Sequence, residues 1–124
     1  MAKYNHLPIY KTTYELLLDL MNLVGKFPRD YKYTIGEKIQ KHVINIFILI
    51  YKSNSSRHKT NYINEILTEI QYLDLFLRMS HDLKIVSQER YCSYVEKAGS
   101  IAKQAQGWLK SYMPKEPEPV HVKA

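Results

Sequence analysis

From Pro8 onward the chain repeats one pattern four times: apolar residues every three or four positions, closed by a short break rich in polar residues, glycine or proline. That spacing lines one side of an α-helix and conflicts with the period-two alternation of a half-buried strand. The first segment, from about Pro8 to Lys26, aligns Ile9, Thr13, Leu16, Leu17, Leu20, Leu23, Val24 and Phe27. Pro8 suits a first helical turn, where its missing N–H is harmless, and Gly25 and Pro28 end the run. The second, Thr34 to Ser53, aligns Ile35, Ile39, Val43, Ile46 and Ile50, with Thr34 and Glu37 at capping-box spacing. Its VINIFILIY run is rich in β-branched residues, yet the segment is too long for a strand and has no turn signal after Gly36. The third, about Thr60 to His81, turns Ile63, Ile66, Leu67, Ile70, Leu73 and Leu77 inward after the loop SNSSRHK at 53–59. The fourth begins near Ser87, an N-cap with Glu89 in the first turn. It continues through Tyr91, Tyr94, Val95, Ala98, Ile101, Ala102, Ala105, Trp108, Leu109 and Tyr112 until Pro114 stops it.

Four helices of about 30 Å joined by short loops fold most economically as an all-α, up-down-up-down four-helix bundle. The expected organisation is an N-terminal arm at 1–7, the bundle at 8–113, and a proline-rich tail at 114–124 that should be disordered. A chain of 124 residues can bury a core without covalent staples. Its single cysteine, Cys92, excludes an internal disulfide and reads as a small buried or interfacial side chain. With no apolar leader and no run long enough to span a bilayer, the expectation is a cytoplasmic protein without a membrane role.

The formal net charge is +6 and is unevenly distributed. Residues 26–59 hold eight cations (Lys26, Arg29, Lys32, Lys38, Lys41, Lys52, Arg57 and Lys59) against Asp30 and Glu37. Residues 60–83 are acidic, with Arg78 against Glu65, Glu69, Asp74 and Asp82. Such asymmetry favours a polyanion at one surface and leaves another free for a cationic partner. On the second helix Lys38, Lys41, Asn45 and Lys52 form a polar strip interrupted by Ile48; on the fourth, Lys103 and Lys110 lie opposite the core. These ten cations are the candidate nucleic-acid contacts, through phosphate neutralisation without sequence reading. Tyr31 and Tyr33, interleaved with Arg29 and Lys32, are expected to pack their rings under the loop, with stacking on bases as the alternative.

Apolar residues also fall outside the inner stripes: Ile44, Phe47, Ile48 and Tyr51 on the second helix, and Leu75, Phe76 and Met79 on the third. A monomeric bundle would expose them, so they are the candidate oligomer interface; a wider core stripe is the alternative. Catalysis has little support. The histidines show no i, i+4 pairing, and no zinc-protease motif, phosphate loop or nucleophile elbow is present. His42, bordering the second helix's stripe, reads as a hydrogen-bonded core residue, and Glu65 and Glu69 as a solvated face. No metal, cofactor or small-molecule substrate is implied.

The stretches FPRDYKYTIGEKI at 27–39, RMSHDLKIVS at 78–87 and GWLKS at 107–111 resemble the accessory variability determinant (Avd) family of diversity-generating retroelements. That family is related to the four-helix proteins encoded in 23S rRNA intervening sequences. The resemblance runs from about Ile9 to Met113 and is most specific in YKYTIGEKI and GWLKS. It implies a non-enzymatic bundle assembled as a homopentameric barrel with a basic surface, binding the element's reverse transcriptase together with RNA, RNA–DNA or DNA. Such a protein supports error-prone cDNA synthesis from template RNA and mutagenic retrohoming. Where the family commonly has an Ile-Gly step before its Gly-Trp, this chain has Ile101 and Ala102. The alternatives are an intervening-sequence-type relative, or a structural oligomer, with no reverse-transcriptase partner.

Overall fold

The computed structural model describes residues 7–112, so the expected tail and most of the expected arm lie outside the described residues. Four long helices and one short one follow in order: α1 (Pro8–Gly25), α2 (Arg29–Lys32), α3 (Ile35–Ser55), α4 (Lys59–Asp82) and α5 (Gln88–Tyr112). Among the described residues there is no strand, and no helix is long and apolar enough to cross a membrane. Leu7 belongs to the bundle rather than to an arm: its carbonyl accepts from the Tyr10 and Lys11 N–H groups, and its side chain packs on the core.

The long helices form a ring of four in which α1 packs against α3 and α5, and α4 packs against α3 and α5. The α1–α5 seam is antiparallel, as two contacts show. Gln104 Nε2 donates to Thr12 Oγ1 at 3.2 Å, and Lys97 Nζ donates to Asp19 Oδ2 at 2.6 Å. Seven residues forward along α1 thus correspond to seven back along α5. The fully buried large side chains lie on the stripes expected from spacing: Leu16 and Leu20, Ile39, Ile46 and Ile50, Ile63, Ile66, Leu73 and Leu77, and Ile101. Leu17, Leu67 and Leu109 of those stripes are only partly buried, and Leu49 and Val86 join the core from outside them. Ala98 and Ala105 are fully buried as well, so α5 presents small side chains to its neighbours at mid-length.

The two ends of α3 are held by different means. At its start, Gly36 lies so close to α1 that an added Cβ would fall 2.6 Å from Val24 Cγ1, 3.3 Å from Tyr31 O and 3.4 Å from Phe27 Cδ2. A larger residue cannot occupy that position without moving the Val24 side chain. At its end, Lys59 Nζ donates to the Ser53, Asn54 and Ser56 carbonyls at 3.0, 3.3 and 2.7 Å. A cation there satisfies the orphan carbonyls and complements the helix dipole. The α4–α5 turn carries Lys84 at φ 64, with the Ile85 N–H donating to Ser80 O and the Lys84 N–H to His81 O. That is a Schellman closure with lysine where glycine is favoured. Ser87 Oγ then accepts from the Arg90 N–H at 3.1 Å, the N-cap anticipated for α5.

Candidate nucleic-acid interface

The path of the chain sorts the ten candidate cations into groups. Because neighbouring helices alternate in direction, the α1–α3 connection and the α4–α5 turn share one end of the bundle. Lys26, Arg29, Lys32 and Lys38 lie at this end, with Lys41 one turn along α3. Lys52 and Arg57 lie towards the other end; by helical rise, Lys38 and Lys52 are about 21 Å apart along α3. Lys103 and Lys110 are exposed on α5, diagonally across the bundle from α3. One protomer therefore does not merge these side chains into a single strip. Lys59 is withdrawn from the set: its ammonium is committed to the α3 carbonyls and lies 5.4 Å from the Tyr112 ring centroid. Exposed Arg78, Lys84 and Arg90, close to the α4–α5 turn, add charge at the first end. Exposed Asp82 and Glu89 stand beside them at the same turn, so the charge they add is partly offset.

The first connection is not a plain loop. Arg29–Lys32 makes one turn of helix behind Pro28, whose carbonyl accepts from the Tyr31 and Lys32 N–H groups, both at 2.9 Å. Two residues apart on such a turn point to opposite sides, so the two tyrosines part company. Tyr31 is half-buried against the core, whereas Tyr33 is 62% exposed. Packing of both rings, expected from the sequence, fails for Tyr33 for this reason. The capping box is not formed either: Thr34 makes no cap bond to α3, and its hydroxyl instead donates to the Asp30 carbonyl at 3.2 Å.

Beside the lysine flank of α3, His42 Nδ1 lies 2.6 Å from Glu69 Oε1, and Asn45 Nδ2 donates to the same oxygen at 3.4 Å. The imidazole is buried and stacks on the Phe76 ring at 5.6 Å, with Tyr72 at 5.3 Å. His42 is thus a hydrogen-bonded core histidine as expected. Glu69, read as solvated, is instead a seam residue, while Glu65 is exposed. The signal was present in the spacing: His42 and Glu69 stand 14 and 13 residues from Ser56 in the α3–α4 turn, so an antiparallel hairpin must bring them level. Among the described residues, no group of three or more His, Cys, Asp or Glu side chains could hold a metal ion.

The candidate interface residues divide similarly. Ile44, Ile48 and Tyr51 on α3, and Leu75 and Met79 on α4, are exposed. Phe47 is half-buried, with ring centroids 4.8 Å from Tyr10 and 5.8 Å from Tyr14, and Phe76 is half-buried against His42. Those two belong to widened core stripes. Tyr14 and Leu18 of α1 and Tyr72 of α4 are further exposed apolar side chains that sequence reasoning missed. Cys92 is exposed, which overturns the buried reading and not the interfacial one; at its position a full half-turn from Ile101 the α5 helix faces away from the core.

The fold and this surface define a class: a helical bundle with a basic, aromatic-bearing end and exposed apolar helix faces. The bAvd-like family profile matches residues 7–112, and the chain belongs to that family. A crystal structure of a protein of unknown function from the S23 ribosomal protein family of Bacteroides thetaiotaomicron has the same fold. It superposes with a TM-score of 0.76 at 17% identity, covering 82% of this chain and 95% of that one. No curated protein matches the sequence.

Proposed function

We propose that this chain is a non-enzymatic accessory protein of a diversity-generating retroelement, assembling as a homopentamer that binds the element's reverse transcriptase and nucleic acid. The observation that carries the reading is membership of the bAvd-like family across the whole bundle, joined to an end surface where Lys26, Arg29, Lys32 and Lys38 gather. Phosphate contacts by these side chains hold template RNA or an RNA–DNA duplex, with Lys41, Lys52, Arg57, Lys103 and Lys110 contributing where protomers bring separate groups together. Five protomers multiply the net +6 of each chain into one strong field. The exposed apolar side chains Ile44, Ile48, Tyr51, Leu75 and Met79 serve protein contacts, between copies or with the polymerase.

Charge reversal tests the nucleic-acid half of this reading. Substituting Lys26, Arg29, Lys32 and Lys38 by Glu weakens binding alike for unrelated RNAs. It also flattens the slope of log Kobs against log[salt] by about 0.7–0.9 for each phosphate that is no longer neutralised. An unchanged slope contradicts the assignment. A gel shift at physiological salt separates this function from that of a structural oligomer whose charge serves only solubility.

A further inference from the structure

Among the described residues Tyr33 is the most exposed large apolar side chain, at 62%, and its place in the chain sets it apart from the others. The other exposed tyrosines, Tyr14, Tyr51 and Tyr72, lie within the long helices, and Tyr14 and Tyr72 have aromatic neighbours. Tyr33 instead ends the α2 turn, one residue after Lys32 and four after Arg29, with Lys38 in the opening turns of α3. Its backbone is firmly placed. The Thr34 N–H donates to Tyr31 O and the Thr34 hydroxyl to Asp30 O, while Tyr31 on one side and Ile35 and Gly36 on the other are anchored in the core. An exposed ring carried on a fixed backbone, with Lys32, Arg29 and Lys38 close in the chain, has the two elements of a platform for an unpaired base: a π-face and neighbouring phosphate ligands. A duplex offers phosphates but no free base face, so only the cations act on it.

We propose that Tyr33 stacks on an unpaired base, so that this end of the bundle prefers single-stranded segments of nucleic acid over duplex. This rests on the reading of the basic end as a nucleic-acid surface and adds the class of strand that it selects. The phenolic hydroxyl has no part in the contact, so Tyr33→Phe preserves the preference and Tyr33→Ala removes it.

The test compares fluorescence anisotropy of a labelled 12-nucleotide unstructured RNA and a blunt duplex of the same sequence, titrated with wild-type protein, Tyr33→Ala and Tyr33→Phe. Because the ring is exposed and makes no core contact, Tyr33→Ala leaves the helical circular dichroism unchanged. The expected result is a loss of about fivefold or more for the single strand, little change for the duplex, and wild-type behaviour for Tyr33→Phe. The salt slope of the single strand stays the same, since no charge is removed. Equal losses on strand and duplex, no loss on either, or a loss in Tyr33→Phe matching that of Tyr33→Ala overturns the proposal while leaving the phosphate-binding reading in place. Wild-type protein that binds neither probe overturns both.

Discussion

Gly36 is where the signature stretch YTIGE meets the fold, and its substitution by alanine tests the packing account quantitatively. The added methyl would lie 2.6 Å from Val24 Cγ1, against an ordinary carbon–carbon separation of about 3.5–4.0 Å. Val24 is 2% exposed and Phe27 6%, so neither can swing aside into solvent. Overpacking of this kind costs about 1–3 kcal/mol, and alanine recovers up to about 1 kcal/mol through helix propensity, less so near the start of a helix. The expected net effect of Gly36→Ala is a loss of about 1–2 kcal/mol, read as a lower urea midpoint with an unchanged m-value at fixed protomer concentration. Val24→Ala alone also destabilises, by leaving a cavity. The double variant places the new methyl in that cavity, so its loss should be smaller than the sum of the two by about 1 kcal/mol or more. Strict additivity, or a Gly36→Ala protein as stable as wild type, refutes the argument that α3 needs glycine for close approach to α1.

Other expectations follow from particular contacts. Lys84 occupies the left-handed region at φ 64, so Lys84→Gly should raise stability by about 0.5–1 kcal/mol in the same urea assay. His42→Ala strands the half-buried Glu69 carboxylate and should cost about 1–3 kcal/mol, whereas replacing His42 and Glu69 together by leucine should cost less than either single change. Burial raises the Asp74 pKa above 3.8, and its Oδ1 is buried without a partner. A raised carboxylate pKa means that the folded state disfavours the charge, a penalty absent below pH 3.8 and incurred as pH rises through the folded value. Asp74→Asn should therefore raise the urea midpoint at pH 7, with the gain shrinking to nothing below pH 3.8. The hydrogen bond from Lys97 to Asp19 raises the lysine pKa above 10.5, so its contribution is fully present below 10.5 and lost as pH rises from there through the folded value. Lys97→Met should accordingly narrow its difference from wild type in strongly alkaline buffer.

The four long helices were legible because each buries a stripe, and stripes leave a 3.6-residue period in the sequence; Leu16, Ile46, Leu73 and Ile101 all lie where that period places them. What escaped was decided between elements. The α2 turn has four residues and no period to read. Thr34 had a capping partner in sequence, but the Asp30 carbonyl was nearer once that turn formed. Lys59 resembled its basic neighbours until the end of α3 placed three carbonyls around it, and Glu69 resembled Glu65 until α3 brought His42 opposite. The basic character of the 26–38 stretch was likewise plain in composition, but its separation from Lys103 and Lys110 followed only from the ring order of the helices.

Copurification with the reverse transcriptase of the same element tests the functional account most directly. The tagged protein, purified with and without nuclease treatment, is expected to retain the polymerase in both cases, with RNA recovered only in the untreated sample. A polymerase absent from both, or released whenever nucleic acid is digested, contradicts a direct accessory role.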